Sequence, residues 1–179
     1  AVVEKRVIGT SVLGRPIRAW RLGDPDSART AVAVAGLHGD EPAPEQILEQ
    51  LRDGTPVSGV DLWVVPRANP DGLVRGTRKN ANGVDLNRNF PHAWKALDGI
   101  TESGPHAASE PETRALVRFL RRVQPDRVVS FHQPLHGVDS YDAKRPRFVR
   151  RLADHLRLPV RSFPCTGTCH GTFTQWVNH

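Results

Sequence analysis

Residues 30–41 read Thr-Ala-Val-Ala-Val-Ala-Gly-Leu-His-Gly-Asp-Glu: a nearly continuous apolar run from Thr30 to Leu37, then a sharp change at His38-Gly39-Asp40-Glu41. An apolar run of this length that ends in glycine predicts a strand buried on both faces, as in a sheet covered by helices on each side. Two more runs have the same character: Val60 to Val65 (VDLWVV) and Arg127 to Phe131 (RVVSF). Between them lie helical patterns. Glu45 to Leu51 places Ile47, Leu48 and Leu51 on one face, and Gly54 closes it. Ser109-Glu110-Pro111-Glu112 predicts a helix start with Ser109 as cap and Glu112 completing a capping box. Leu116, Phe119, Leu120 and Val123 then form its apolar face, and Pro125 ends it. Upstream, 5–12 and 16–22 alternate around Leu13-Gly14-Arg15-Pro16 and predict a β-hairpin. Downstream, Arg147 to Leu156 predicts an amphipathic helix, Val160 to Phe163 a short strand, and Thr172 to Val177 the start of another helix. Strands alternating with helices predict an α/β domain of three layers, α/β/α, spanning residues 1–179 as one unit. In such folds ligands gather at the carboxyl ends of strands. His38, His132 and the segment Pro66–Phe90 all follow predicted strands.

The composition is that of a globular protein, with no apolar run approaching the roughly 18 residues of a membrane span. The formal charge is +6, and only four of the 25 basic residues are lysines. Codon bias toward arginine accounts for this; attraction to an anionic polymer such as a cell wall is the functional alternative. No basic stripe interleaved with aromatics is present, so nucleic acid is not an expected partner. The chain begins Ala1-Val2-Val3 and has no methionine. A processed start is expected, with a signal peptide removed before Ala1. Cys165 and Cys169, in Cys-Thr-Gly-Thr-Cys, suit a small disulfide loop in an exported protein; a reduced pair or a soft-metal site are the alternatives.

Two groups of residues carry chemistry. His38 and Glu41, joined through Gly39-Asp40, offer an imidazole and a carboxylate at one strand end, and His132 offers a second imidazole at another. Zinc takes such ligands at about 2.0–2.2 Å, and three protein ligands with an open fourth position make a catalytic site. The alternative is a pair of hydrogen-bonded core histidines. The second group lies in the aperiodic stretch Pro66–Phe90, whose length suits a functional loop. It opens with Asn69-Pro70-Asp71-Gly72, a turn signal. Arg75, Arg78, Asn80, Asn82, Asn87, Arg88 and Asn89 follow. Arginine grips a carboxylate bidentately and asparagine adds a neutral donor; the alternative is a solvated loop.

Taken together, His38-x-x-Glu41, Asn69-Pro70-Asp71-Gly72, Arg78, Gly83-Val84-Asp85-Leu86-Asn87-Arg88-Asn89-Phe90 and Ser130-Phe131-His132 resemble the M14 zinc carboxypeptidases, and within them the bacterial murein-peptide amidases. The resemblance runs from about residue 5 to the end of the chain. It implies a mixed central sheet of the zinc-dependent exopeptidase type. It also implies one Zn²⁺ held by His38, Glu41 and His132, with Arg78 as the catalytic group that stabilises the oxyanion. Asn87 and Arg88 correspond to the pair that binds the substrate's free carboxylate. The implied reaction is hydrolysis of an amide bond in a cell-wall peptide, at γ-D-glutamyl–diaminopimelate, by a secreted or envelope bacterial enzyme expected to be monomeric.

Two departures accompany the resemblance. The chain has no glutamate after Glu112. By the position of Trp176, the resemblance implies that the general-base glutamate of the family falls roughly ten residues past His179. A C-terminal strand and helix are therefore expected beyond the 179 residues, which alone are expected to be poor catalysts. Glu110 and Glu112 are read as caps, and Asp139 and Asp142 do not match the family position. The mobile tyrosine of digestive members is replaced by the stretch Thr166-Gly167-Thr168. The other histidines, His92, His106, His136, His155, His170 and His179, match nothing and are expected at the surface or in the core. Two rivals remain: an aspartoacylase or succinylglutamate desuccinylase-like N-acyl amino acid deacylase, and a zinc-holding pseudo-peptidase that binds peptidoglycan stems.

Overall fold

The computed structural model describes residues 2–141, 143–163 and 167–179. Strands β1 (Val2–Thr10) and β2 (Pro16–Gly23) form the antiparallel hairpin. Strand β3 (Thr30–Val34) leads to helix α1 (Pro42–Asp53), and β4 (Asp61–Val65) leads to helix α2 (Pro70–Arg75). Helix α3 (Pro111–Val123) precedes β5 (Arg127–Ser130). Strand β6 (Val138–Asp139), helix α4 (Pro146–Leu156), strand β7 (Val160–Arg161) and helix α5 (Phe173–Val177) complete the order.

The sheet is mixed, in the order β1-β2-β4-β3-β5. β2 runs antiparallel to β4, whereas β3 is parallel to both β4 and β5. The period of two along each strand separates two cores. Trp63 and Val65 of β4, with Val32 and Val34 of β3, face α3, where they meet Leu116, Phe119 and Leu120. Val64 and Leu62, with Ala33 and Ala35, face the other side and pack with Leu48 and Leu51 of α1. Trp63 and Phe119 meet edge to face at 5.5 Å. Two apolar faces, each covered by a helix, are the three layers that the sequence predicts. The same architecture brings the carboxyl ends of the parallel strands β3 and β5 side by side. Among the described residues no helix is long and apolar enough to cross a membrane.

Three local expectations need correction. Asn69-Pro70-Asp71-Gly72 is not a free turn but the start of α2: Asn69 Oδ1 accepts from the Gly72 N–H at 2.9 Å, and Pro70 occupies the first helical position, where no N–H is needed. Residue 109 is not the cap of α3. That position is Glu110, whose side chain makes no capping bond, and Glu112 closes no box. Both glutamates are buried and turn instead to the loop before them. Asn80 Nδ2 donates to Glu110 Oε2 at 2.7 Å and to Glu112 Oε2 at 3.1 Å, and the Val12 N–H donates to Glu112 Oε1 at 3.1 Å. Finally, β5 is half-buried rather than fully buried, because among the described residues it pairs with β3 alone. Cys165 lies outside the described residues, and with it the proposed Cys165–Cys169 loop.

Candidate metal centre

Once β3 ends, the chain turns sharply through His38-Gly39-Asp40-Glu41 into α1. Gly39 is required there by close approach: a Cβ on it would lie 1.9 Å from the backbone carbon of Gly72 at the start of α2. The crossing lays the segment that follows α2 against this turn, and the Gly39 N–H reaches Arg78 O at 3.4 Å. Asn69 reinforces it, since its Nδ2 donates to Leu37 O at 3.3 Å. Glu41 sits at the N-terminus of α1, where the helix dipole favours an anion, but it makes no capping bond. Its carboxylate is thereby free to face the histidines.

His38 and His132 meet on that carboxylate. Nδ1 of His38 lies 2.8 Å from Glu41 Oε1, and Nδ1 of His132 lies 2.9 Å from Glu41 Oε2. One ligand atom from each of the three residues lies within 4.8 Å of the others. The strand end carrying His132 is tied to α1 through Gln133 Oε1, which accepts from the Ala43 N–H at 2.9 Å. The outer nitrogens are engaged as well: Nε2 of His38 lies 3.1 Å from Asp85 Oδ1, and Nε2 of His132 lies 3.2 Å from Ser130 Oγ. An imidazole whose Nε2 is held by a carboxylate or hydroxyl presents its Nδ1 as the ligand atom, the usual support for a histidine that binds metal. The donor set of two imidazole nitrogens and one carboxylate suits Zn²⁺.

Asp85 is the residue that sequence reasoning missed. It is fully buried, and its carboxylate serves three groups at once. Oδ1 faces His38 and accepts from the Asn87 N–H at 2.9 Å, while Oδ2 accepts from Arg78 Nε at 3.0 Å and pairs with Arg78 Nη2 at 2.9 Å. The available signal was its place within Gly83-Val84-Asp85-Leu86-Asn87-Arg88, where an acid stands among basic and amide groups. Arg78 is thereby held beside the histidines, with Nη1 3.4 Å from His38 Nδ1.

Asn87 and Arg88 follow in a short 3₁₀ turn, Leu86–Arg88. Asn87 Oδ1 accepts from the Phe173 N–H at 2.9 Å, so its amide NH₂ is the end left for other partners. Arg88 is buried, its Nη1 donates to Asn87 O at 2.7 Å, and its Nε has no partner. The segment before α5 closes over this turn. The Phe90 N–H donates to Gly171 O at 2.8 Å, and Gly171, at φ 62°, has no room for a Cβ, which would lie 2.5 Å from Arg88 O. Trp176 stacks on Phe90 at 5.6 Å.

The charges respond to this packing. Burial opposes ionisation of Glu41, but hydrogen bonds from His132 and His38 outweigh it and bring the carboxyl down to about 2. Burial also disfavours a charged His38, yet the hydrogen bonds to Asp85 and Glu41 win and raise it. Asp85 is held below its ordinary value by His38 and the nearby arginines, despite burial. Arg88 is lowered by burial, against the pull of Asp85. Among the described residues, Glu41 and Asp85 are the only carboxylates bonded to either histidine. None of the other histidines joins the cluster among the described residues.

The chain is similar in sequence and in fold to known proteins. The zinc carboxypeptidase family model (Peptidase_M14) matches residues 1–141. Murein peptide amidase A of Escherichia coli K12 is 40% identical, over 94% of this chain and 74% of its own length. The corresponding protein of Vibrio campbellii is 33% identical, over 95% and 73%. The crystal structure of the murein-tripeptide amidase of Escherichia coli O157 superposes with a TM-score of 0.83 at 35% identity, covering 98% of this chain and 79% of that one. The carboxypeptidase A of Helicoverpa armigera shares the fold at a TM-score of 0.79, with 21% identity over 98% of this chain and 56% of that one. The chain belongs to the M14 zinc carboxypeptidase family.

Proposed function

We propose that His38, Glu41 and His132 hold one Zn²⁺ and that the protein hydrolyses an amide bond beside a residue with a free carboxylate, in a cell-wall peptide. The convergence of both Nδ1 atoms on the Glu41 carboxylate carries this reading. A zinc ion in such a set supplies Lewis acidity, polarising a carbonyl and activating water. The chain's own groups do the rest. Arg78, fixed by Asp85, offers guanidinium donors where negative charge develops on the carbonyl oxygen. The amide NH₂ of Asn87, aimed by the Phe173 bond, and the cation of Arg88 receive the free carboxylate. An incoming anion also compensates the cost of keeping Arg88 buried. The chain spans 74% of the length of the murein peptide amidase it matches, and turnover is a proposal for the whole protein.

The 40% identity to a murein peptide amidase supports the cell-wall peptide as substrate. The test compares hydrolysis by the whole protein of murein tripeptide, of the same peptide amidated at its free carboxylate, and of N-acyl amino acids. Cleavage of the free-carboxylate tripeptide alone is expected. Preference for the acyl amino acids overturns the reading in favour of a deacylase.

A further inference from the structure

The net charge of this protein is not spread over its surface. From Lys144 to Arg161 the chain carries Lys144, Arg145, Arg147, Arg150, Arg151, Arg157 and Arg161 against a single acid, Asp154. The excess of that one segment equals the formal +6 of the whole chain, and the remainder has as many acids as bases. The segment is one structural unit, a parallel β6-α4-β7 crossover. Helix α4 packs through Val149 and Ala153, leaving its basic side chains outward. All seven cations are exposed, and among the described residues none of them forms an ion pair. Cations left unpaired on one face are an attractive surface for anions.

The apolar residues beside them narrow the partner. Leu156, Leu158 and Val160 are 46%, 38% and 44% exposed, and they alternate with Arg157 and Arg161. A soluble polyanion gains little from aliphatic side chains. A bilayer interface accommodates both kinds, with aliphatics at the acyl boundary and arginines on headgroup phosphates. Of the aromatic side chains in this unit, Phe148 is half-buried under Arg127 and Tyr141 alone is exposed, so no series of open rings is present for stacking successive bases.

We propose that the outer face of α4 with the 156–161 edge is a docking surface for an anionic lipid bilayer. It is independent of the peptidase reading, because none of these residues belongs to the metal centre or the carboxylate-binding turn. The test is co-sedimentation of the full chain with vesicles of phosphatidylcholine alone and of phosphatidylcholine mixed with phosphatidylglycerol. Wild-type protein binds the anionic vesicles and is released by salt. The R147E/R150E/R151E variant binds them roughly tenfold or more weakly. The L156S/L158S/V160S variant binds the anionic vesicles more weakly than wild type at the same low salt, and binding equal to wild type would overturn the role of the aliphatic edge. Circular dichroism of each variant checks folding, and the wild-type dependence on anionic lipid needs no variant. Absence of wild-type binding to anionic vesicles overturns the proposal, as does binding unchanged in the charge-reversed variant. Charge-sensitive binding to soluble polyphosphate without binding to vesicles overturns it in favour of a polymer.

Discussion

Asp85 Oδ1 lies 3.1 Å from Nε2 of His38, and the same fully buried carboxylate carries Arg78 on its other oxygen. One acid therefore sets both the orientation of a proposed ligand and the position of the proposed oxyanion donor. Asp85→Asn keeps the shape and removes the charge. Zinc affinity is expected to fall about 10–100-fold, as for other supports of metal-binding histidines. A chelator competition titration reads this directly.

Proton and metal compete for His38. Its value is raised, because the bonds to Asp85 and Glu41 outweigh burial, and the imidazole must be neutral to coordinate. Zinc affinity is expected to climb with pH until that raised value is passed and then to level off. Glu41, at about 2, is ionised throughout this window and adds no slope. The same competition titration, repeated across pH, checks the profile.

Arg78 touches the site without belonging to the proposed ligand set. In the whole protein, Arg78→Ala is expected to lower kcat by about 100-fold or more while zinc content is unchanged. Steady-state kinetics with elemental analysis on the same sample separates loss of charge stabilisation from loss of metal.

The backbone crossing of Gly39 and Gly72 leaves no space for a side chain. Gly39→Ala is expected to destabilise the fold by about 2 kcal/mol or more, seen as a lower midpoint in thermal denaturation.

Glu112 is fully buried, and among the described residues it forms no ion pair. Burial pushes its carboxyl up from the ordinary 4.5, the bonds from Val12 and Asn80 oppose this, and Glu110 adds to it. The folded state thus binds this proton more tightly than the unfolded state does. The resulting stability is complete below about the unfolded value and is lost as pH rises through the raised one. Glu112→Gln cannot ionise, so its unfolding free energy is expected to lack this part of the pH slope. Denaturant titrations of both proteins from acid to neutral pH test it.

What could be read from the sequence follows from range. The apolar runs fix β3, β4 and β5 because an alternation or run is a local signal, and His38 and His132 stand where those runs end. Glu110 and Glu112 were misread because Ser-Glu-Pro-Glu satisfies a capping pattern, while their true partners, Asn80 and Val12, lie far away in the chain. Asn69-Pro70-Asp71-Gly72 suits a turn and a helix start equally well. Packing against Gly39 sets the helix in place, and Asp71 is fully occupied by the Leu13 N–H and Arg15. Asp85 escaped notice because a buried acid is recognised by its neighbours, and the one that gives it a role at the site, His38, is 47 positions away in the chain.

The central claim is that two histidines and a glutamate from two strand ends hold one zinc ion. The most direct measurement is the zinc content of dialysed protein, wild type and His38→Ala/His132→Ala, with folding checked by circular dichroism. The account predicts about one zinc per chain for the wild type, the stoichiometry of a single three-ligand site, and none for the variant. A folded wild type that retains no zinc, or a variant that retains as much as the wild type, would contradict it.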